Sequence, residues 1–471
     1  MYQESMDQLL ELNLDRSART PLAEQIRKGI CAAIESGVLA PGARLPSWLD
    51  LAAQLGVARG TVRTAYDKLS AAQLIVASRS TGTRVAARPA AVARIEPPPD
   101  PGSFMERYRE MTAGPAIFQM GVPAQETFPA TLFARIRAHA VRVETSAPAI
   151  YPDPRGELEL RREIAAYLTV ARSIECSPSE IIITGGYASG LGMALRVLGL
   201  EGQKVWMEEP GFPFTRRGLE LARLEIVPVP VDADGVNVEH GIRHAPDSAL
   251  VVVTPGQQAP LGSTLSLARR LRLLDWAAGA QAWVIEDDYL SELQLDGRAA
   301  PALASLDRGG RVIHIGSFSK TISPALRLGF LVAPPALASR FAEVAACLAP
   351  PPGPSVQLAA TEFMREGHYL RHLRRTKRVY SAQRDALLKS LRPEGATVAG
   401  LAVLLRLPDG APDLAIARET LAFGMSPAPL SAWYASPDSA KSGLLLGLAT
   451  APPRQLARSC DRLLEIVTRF A

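Results

Sequence analysis

Few cysteines and no long apolar run are present, and each absence excludes a class of protein. The 471 residues include four cysteines that form no CxxC pair, so the sequence predicts neither a disulfide framework nor a zinc ribbon. No stretch approaches the roughly 20 apolar residues that a membrane-spanning helix needs. The N-terminal segment MYQESMDQLLELNLDRS is too polar and acidic for a signal peptide. We therefore expect a cytoplasmic protein without a membrane partner.

A metal site is also unsupported. His240 and His244, and likewise His368 and His372, are four residues apart, but no carboxylate or cysteine completes a ligand set. We therefore predict no metal. The second pair lies beside a basic run, residues 371–378, which is typical of a solvated helix face and less often of auxiliary DNA contact.

The length and the charge distribution indicate a protein of several domains. With 471 residues, 47% hydrophobic and 21% charged, the chain is an ordinary globular protein with two or more cores. A net charge of +5 permits a nucleic-acid partner without requiring one. The basic residues concentrate in residues 56–86, a segment that contains five of them and a single acid, Asp67. A solvated helix face explains such a run about as well as DNA binding does.

Hydrophobic spacing in the first 86 residues predicts three short helices and a hairpin. Apolar residues recur at helical spacing from Leu22 to Ile34, and Gly37 ends that helix. Ser47 is well placed to cap a second helix that ends at Leu55. A third helix is predicted over 61–71, followed over 74–86 by two strands. This order is that of a winged helix-turn-helix.

The composition changes after residue 86. Residues 87–116 are rich in alanine and proline, with four prolines in 97–101, and they predict a stiff linker. From residue 117 to 471, helical patterns alternate with short β-branched runs such as 181–183 and 250–253. That alternation predicts an α/β domain with a mostly parallel sheet and a ligand at the carboxyl ends of its strands. The proline cluster at 350–354 predicts the passage to a smaller C-terminal subdomain.

The helix-turn-helix suggests which side chains meet DNA. Its second helix enters the major groove, so Arg59, Thr61 and Arg63 near the start of that helix can reach base edges and phosphates. In the wing, Arg79 and Arg84 flank Gly82, a residue type that lets a hairpin tip approach the backbone closely. A winged helix that serves protein contacts alone is the alternative.

The run PGARLPSWLDLAAQLGVARGTVRTAYDKLSAAQLI, followed by TGTRV, resembles the GntR class of bacterial regulators over nearly its whole length. Leu49 departs from the class, which usually has a basic residue there, and a lost charge would weaken the salt dependence of DNA binding. By the resemblance, the residues that touch DNA are Arg44, Ser47, Arg59, Thr61, Arg63 and Gly82.

A lysine follows the strand-like run Val312–Ile315 in the segment GSFSKTISPALRLGFL. Ser317 and Ser319 come shortly before Lys320, and Arg327 comes seven residues after it. Hydroxyls and a guanidinium bind phosphate oxygens, while a lysine can form a Schiff base with an aldehyde. This is the set of groups that pyridoxal 5'-phosphate (PLP) needs.

Another strand, Trp283–Ile285, runs into the acidic group EDDY, residues 286–289. Acids at a buried strand end need a cationic partner, and the pyridinium nitrogen of PLP would be one. We predict that Asp287 binds this nitrogen and that Tyr289 meets the ring hydroxyl. Glu286 and Asp288 are the alternatives for the nitrogen.

Two further segments complete the predicted cofactor site. After residues 181–183, a helix opens at TGGYAS, and its free N–H groups around Gly186, Tyr187 and Ala188 would receive the phosphate. Phe212 can stack on the pyridine ring.

In this order, these motifs resemble fold type I aminotransferases, and with the N-terminal module the chain is similar to the MocR subfamily of GntR regulators. The resemblance covers about residues 13–86 and 117–471. It implies a PLP cofactor and a fold type I aminotransferase-like domain with a smaller C-terminal subdomain. It also implies that Gln258, which the loop TPGQQAPLG keeps, lies near the ring hydroxyl. In the similar segment YPDPRGELELRREIAAYL, Tyr151 would reach the cofactor phosphate of the neighbouring subunit, which implies a homodimer.

Some positions depart from that family. Its phosphate loop, commonly Ser-Gly-Ala-Gln-Gln, is here residues 185–189, GGYAS, so side-chain contacts are lost. The strand at 443–450 commonly carries an arginine that binds the substrate carboxylate in a bidentate fork, but this chain has leucines at 444–446. Arg216, Arg217 and Arg406 are the candidates to replace it.

These departures favour a DNA-binding regulator that senses PLP, or an amine or amino-acid effector, with at most residual aminotransferase activity. The alternative is a PLP-dependent aminotransferase with a vestigial N-terminal extension.

Overall fold

Contacts divide the chain into two compact units, residues 1–102 and 103–471. The structure is a computed structural model. It describes residues 12–18, 20–78, 82–87, 104–106, 108–109, 116–295, 297, 299–391, 395–451 and 453–470.

The first unit is a three-helix bundle with a hairpin. The buried stripe of the first helix is Ile26 and Ile30, one turn apart, packed on the other two helices. Ser47 caps the second helix by accepting a hydrogen bond from the Asp50 N–H, as predicted, and Gly56 ends it with φ 60°. The elements are α1 (Leu22–Glu35), α2 (Trp48–Leu55), α3 (Arg59–Ala71), β1 (Ile75–Ser78) and β2 (Gly82–Val85).

The third helix begins at Arg59 and not at Thr61, because the extended Ala58 already serves as its N-cap. The two strands pair antiparallel, Ile75 opposite Val85. Residues 79–81 at the tip of the wing, with Arg79, lie outside the described residues.

The second unit contains an eight-stranded sheet with the order β3-β10-β9-β8-β7-β4-β5-β6. The five central strands from β9 to β5 are parallel, and β10 and β6 pair antiparallel, so the mostly parallel sheet is confirmed. Its strands are β3 (Ile181–Thr184), β4 (Lys204–Glu209), β5 (Glu225–Asp232), β6 (Gly235–Val236), β7 (Leu250–Val253), β8 (Trp283–Asp288), β9 (Val312–Ser317) and β10 (Gly329–Val332).

Helices enclose this sheet. Two helices precede its first strand in the chain, α4 (Ala130–Ser146) and α5 (Leu158–Arg172). Those between the strands are α6 (Tyr187–Leu198), α7 (Pro213–Leu221), α8 (Val238–His244) and α9 (Leu267–Ala280); those after the last strand are α10 (Ala338–Cys347), α11 (Pro354–Arg365) and α12 (His368–Leu391). The proline cluster at 350–354 does not lead to the small subdomain as predicted. It starts α11, which packs against α4 and α5 and buries Phe363 in the main core.

The smaller C-terminal subdomain follows the long helix α12. It has a four-stranded sheet with the order β11-β12-β14-β13, in which Leu444–Leu446 are fully buried. Its elements are β11 (Ala396–Ala399), β12 (Ala402–Arg406), α13 (Asp413–Thr420), β13 (Ala428–Pro429), β14 (Gly443–Gly447) and α14 (Leu456–Phe470).

The segment predicted as a linker is described only in part. Residues 104–106 and 108–109 are helical, and the rings of Phe104 and Tyr108 pack edge-on against Phe214 of the second unit. The proline run 97–101 lies outside the described residues.

At Gly329, the first residue of β10, three backbone segments approach one another closely. A Cβ atom there would lie 2.8 Å from the Gly186 Cα and 2.9 Å from the Gly316 carbonyl oxygen. Both neighbours are backbone atoms, so neither can move away as a flexible side chain would. Gly279, an exposed residue in the last turn of α9, has nothing within 4 Å of the equivalent position.

We predict that Gly329→Ala lowers the unfolding free energy by about 1–3 kcal/mol, because it overpacks this junction. Gly279→Ala is the matched control and should be neutral or stabilise by up to about 1 kcal/mol, as expected of glycine replaced in an exposed helix. Denaturant unfolding of both variants measures this. Equal effects of the two changes would contradict the close-approach argument.

Candidate functional site

Lys320 and Asp287 lie at the carboxyl ends of neighbouring parallel strands. Asp287 is the fifth residue of β8, and Lys320 comes three residues after β9 ends. The Lys320 Nζ donates a hydrogen bond to the Gly121 carbonyl oxygen at 2.5 Å. Burial lowers the pKa of Lys320, and Asp287 partly opposes that shift. Burial raises the pKa of Asp287 well above its usual value, with Asp288 and Glu208 adding to the shift and Lys320 opposing it.

The two alternative acids lie on the other side of β8, where their partners are already supplied. Glu286 accepts hydrogen bonds from the backbone N–H groups of Leu303, at 2.7 Å, and Ala304, at 2.9 Å. Asp288 accepts a hydrogen bond from the Arg172 Nε at 2.7 Å. Because side chains alternate along a strand, Asp287 faces the opposite side, and this favours it over the alternatives.

A buried charge network fixes this end of β8. The Glu286 carboxylate lies 3.0 Å from the His314 Nδ1, and the His314 Nε2 lies 3.8 Å from the Asp288 carboxylate. Burial alone would lower the pKa of His314, but Glu286 outweighs it and the pKa is raised. Burial alone would raise the pKa of Glu286, but His314 and the backbone hydrogen bonds lower it to about 2. The sequence analysis missed Arg172 and His314, which no local motif marks.

Several of the residues predicted to bind the cofactor phosphate lie near the start of α6. Gly186 adopts φ 96°, a conformation that favours glycine, and a Cβ there would lie 3.8 Å from the Ser319 Oγ. The Ser319 N–H donates to the Ser317 Oγ. Arg327 is exposed, and its backbone carbonyl approaches Gly185. Ala188 is exposed in the first turn of α6, where backbone N–H groups lack helical partners.

Phe212 and Tyr289 line the same region. The Phe212 ring lies 5.7 Å from Trp433 of the small subdomain and 5.1 Å from Phe214. Tyr289 is half-buried, and burial together with Asp287 raises the pKa of its hydroxyl. Tyr151 is fully exposed, and its role in a partner subunit stays a prediction.

The side-chain amide of Gln258 is hydrogen-bonded to other groups of the protein. Its amide donates to the carbonyl oxygens of Pro210 and Ala259, both at 2.8 Å, and more weakly to the Glu208 carboxylate. Glu208, which the sequence analysis missed, is buried, and burial raises its pKa to about 7 although Thr254 and Gln258 donate to it. The structure therefore places Gln258 as a loop-holding group, and its contact with the cofactor stays a prediction.

The three candidate replacements for the carboxylate-binding arginine differ in their surroundings. Arg216 donates to the carbonyl oxygens of Trp433 and Tyr434 and to Glu209. Arg217 pairs with Glu220, and Arg406 is exposed at the end of β12. Arg216 is the candidate nearest in sequence to Phe212, but its guanidinium donates hydrogen bonds to the small-subdomain loop at 433–434.

The predicted DNA contacts lie on the surface of the first unit. Arg59, Arg63 and Arg44 are exposed, and none of them forms an ion pair with another described residue. The Arg84 guanidinium donates to the Gly42 carbonyl oxygen. A Cβ at Gly82 would lie 3.5 Å from the Arg44 side chain. Thr61 is half-buried, and Ser47 and the departing Leu49 are exposed.

Within the described residues, no group of three or more His, Cys, Asp or Glu side chains is placed to hold a metal ion. The described helices include none that is long and apolar enough to span a membrane.

Comparison with known proteins finds a matching protein family for each of the two units. The bacterial regulatory protein gntR family covers residues 22–85, and the aminotransferase class I and II family covers 118–414. The probable rhizopine catabolism regulatory protein MocR of Rhizobium meliloti is 34% identical over 475 residues, covering 96% of this chain and 95% of that protein. This chain belongs to the MocR subfamily of GntR regulators.

Other relatives agree with this MocR-type assignment. The pyridoxine biosynthesis transcriptional regulator PdxR of Corynebacterium glutamicum is 32% identical over 380 residues, covering 80% of this chain and 79% of that protein. Among solved structures, the alpha-aminoadipate aminotransferase LysN of Thermus thermophilus has a TM-score of 0.69 at 26% identity, covering 77% of this chain and 94% of that structure. The fold is therefore a GntR DNA-binding module joined to an aminotransferase-like domain, and this domain family is PLP-dependent.

We predict that Arg172→Met destabilises the protein by about 3–5 kcal/mol, because the buried Asp288 would lose its closest cation and keep only the more distant imidazole of His314. Arg217→Met is the matched control: it breaks an exposed pair with Glu220 and should change the unfolding free energy by less than about 1 kcal/mol. Thermal or denaturant unfolding compares the two. A loss no greater than the control's would show that the network around β8 does not hold Asp288.

Proposed function

We propose that this MocR-type regulator binds PLP at Lys320 and changes its DNA affinity when PLP, or an amine or amino acid that reacts with it, occupies the site. The single observation that supports this most is the position of Lys320 and Asp287 at the ends of neighbouring strands. Each favours the charged form of the other, and Asp287 is buried while Lys320 is half-buried. The donor set fits the cofactor's chemistry.

Each residue of the site would bind a different part of the cofactor. Asp287 would bind the ring nitrogen, Tyr289 the ring hydroxyl, and Phe212 the ring face. The phosphate would be held by the N–H groups at the start of α6 around Gly186 and by the side chains of Ser317, Ser319 and Arg327. When bound, PLP supplies an aldehyde that reacts reversibly with amines.

Lys320 and Asp287 have the properties that these roles need. A lysine whose pKa is lowered by burial has a larger fraction of neutral, nucleophilic amine at neutral pH. A buried carboxyl with a raised pKa lacks enough positive charge in its surroundings, so a protonated ring nitrogen would stabilise its anionic form. The two shifts act in the directions that favour cofactor binding.

A sensor is favoured over an enzyme by the small-subdomain sheet. Leu444–Leu446 are fully buried apolar side chains, so β14 offers no guanidinium for a substrate carboxylate. Arg216 donates through both terminal nitrogens to carbonyl groups of the loop at 433–434, and only its Nε has no hydrogen-bond partner among the described residues. The regulators MocR and PdxR match more of this chain than LysN does. An aminotransferase with a vestigial N-terminal module is supported by the fold and by the aminotransferase family match over 118–414.

The remaining parts of the proposal concern partners. We place the DNA-binding domain at 13–86, the linker at 87–116 and the aminotransferase-like domain at 117–471. DNA contacts come from Arg44, Ser47, Arg59, Thr61, Arg63, Arg79, Gly82 and Arg84. The full exposure of Tyr151 is what a residue reaching into a second copy would show, so we propose a homodimer. We also propose that the protein acts in the cytoplasm, because that is where its DNA target would be.

Fluorescence anisotropy with DNA from upstream of the protein's own gene tests the proposal. We predict that PLP changes the DNA dissociation constant of the wild-type chain at least about fivefold, the lower end of usual allosteric coupling. Lys320→Ala should bind the same DNA but lose this response. Arg63→Ala is the control for the DNA module and should weaken DNA binding about fivefold or more with or without PLP.

A response to PLP that is the same in Lys320→Ala and in the wild type would contradict sensing through Lys320. Rapid transamination of common α-amino acids by the wild type would instead favour the enzyme.

A further inference from the structure

Helix α12 carries a run of positive charge that the proposed function does not use. Residues 367–384 contain six arginine or lysine residues and no aspartate or glutamate. Four of these arginines are exposed, namely Arg371, Arg374, Arg375 and Arg378. At 3.6 residues per turn, the four lie within an arc of about 100° and along roughly 10 Å of the helix. We name them the α12 arginine face.

The opposite side of α12 is fixed to the core of the second unit. Tyr369, His372 and Tyr380 are buried. The His372 Nε2 lies 2.7 Å from the Thr321 carbonyl oxygen, and the Tyr380 hydroxyl accepts a hydrogen bond from the Ala124 N–H at 2.8 Å. Because these contacts fix the rotation of the helix, the α12 arginine face is held toward solvent.

The α12 arginine face forms no ion pair with any residue that the structure describes. Arg371 donates to the backbone carbonyl oxygen of Glu366, and Arg375 donates weakly to that of Glu126. The Glu126 carboxylate instead accepts a hydrogen bond from Gln383. A carbonyl oxygen does not neutralise a guanidinium, so the charge of this face remains unmatched.

Exposed arginines on other helices of the second unit have an acid beside them. On α5, Arg162 pairs with Glu159, and on α14, Arg462 pairs with Glu465. In both pairs the acid is three residues away, which is the spacing that stabilises a solvated helix surface. The α12 arginine face lacks this pattern and therefore differs from an ordinary solvated face.

We propose that the α12 arginine face is a second DNA-contacting surface, which binds phosphate groups of the duplex that the N-terminal module recognises. Guanidinium groups form charge-assisted hydrogen bonds with phosphate oxygens. A DNA strand presents one phosphate about every 3.4 Å along the helix axis, so a row of roughly 10 Å spans about three of them. This inference goes beyond the proposed function, because it requires neither PLP nor Lys320.

The surroundings of this face favour DNA over other anionic partners. The gntR family match over residues 22–85 brings the chain to DNA, and a tethered second surface then meets the same duplex at a high effective concentration. A membrane surface would require an apolar side next to the charges, whereas the apolar side of α12 is buried in the core. An acidic protein is the competing partner.

Filter binding of the full-length protein to a long upstream DNA fragment, over a series of salt concentrations, tests the proposal. For Arg374→Ala/Arg378→Ala, the slope of the logarithm of the binding constant against the logarithm of salt should be shallower by about 2, since each phosphate contact contributes about 0.9. The advantage of the wild type should therefore grow about tenfold from roughly 200 mM to roughly 50 mM salt. Arg371→Gln/Arg375→Gln is a second pair with the same expected direction.

Two further variants separate phosphate contact from loss of fold or of net charge. Arg374→Lys/Arg378→Lys keeps the charge and should keep most of the slope. Arg162→Ala/Arg462→Ala removes the same charge from two exposed helix positions that have acidic partners, and its slope should equal that of the wild type. Unfolding transitions of all variants show whether each remains folded.

A wild-type slope in both α12 alanine and glutamine pairs, or an equal change in the control pair, would overturn the second surface. DNA binding that still depends on Arg63 would then leave the proposed function intact. An unchanged slope combined with lost regulation in cells would also overturn the proposal and assign the face to an acidic protein.

Discussion

A buried carboxyl group must be protonated, hydrogen-bonded or matched by a cation, and Asp287 lies at the end of β8 under that constraint. Its two neighbours in sequence are already satisfied on the other side of the strand, Glu286 by His314 and two backbone N–H groups, and Asp288 by Arg172. Asp287 faces the opposite side of the strand, where Lys320 is the cation that opposes the rise in its pKa.

The sequence predicted the fold through features that local physics dictates. Ser47 as an N-cap and the mostly parallel sheet each follow from a pattern within a few residues or from hydrophobic spacing. The proline cluster before α11 was misread, because a proline at the start of a helix and a proline at a domain boundary look alike in sequence. Arg172 and His314 could not be predicted, since their partners lie 116 and 28 residues away in the chain. Tyr187 was predicted as a backbone ligand of the phosphate, and the hydrogen bond between its hydroxyl and that of Thr215 emerged only from the packing.

The central claim is that an aldehyde cofactor becomes attached at one amine. The most direct measurement is incubation of the full-length protein with PLP, reduction with borohydride, and mapping of the modified peptides by mass spectrometry. The account predicts a pyridoxyl group on Lys320, lost in Lys320→Ala and present in Arg63→Ala. Modification spread over surface lysines, or none on Lys320 at saturating PLP, would contradict it.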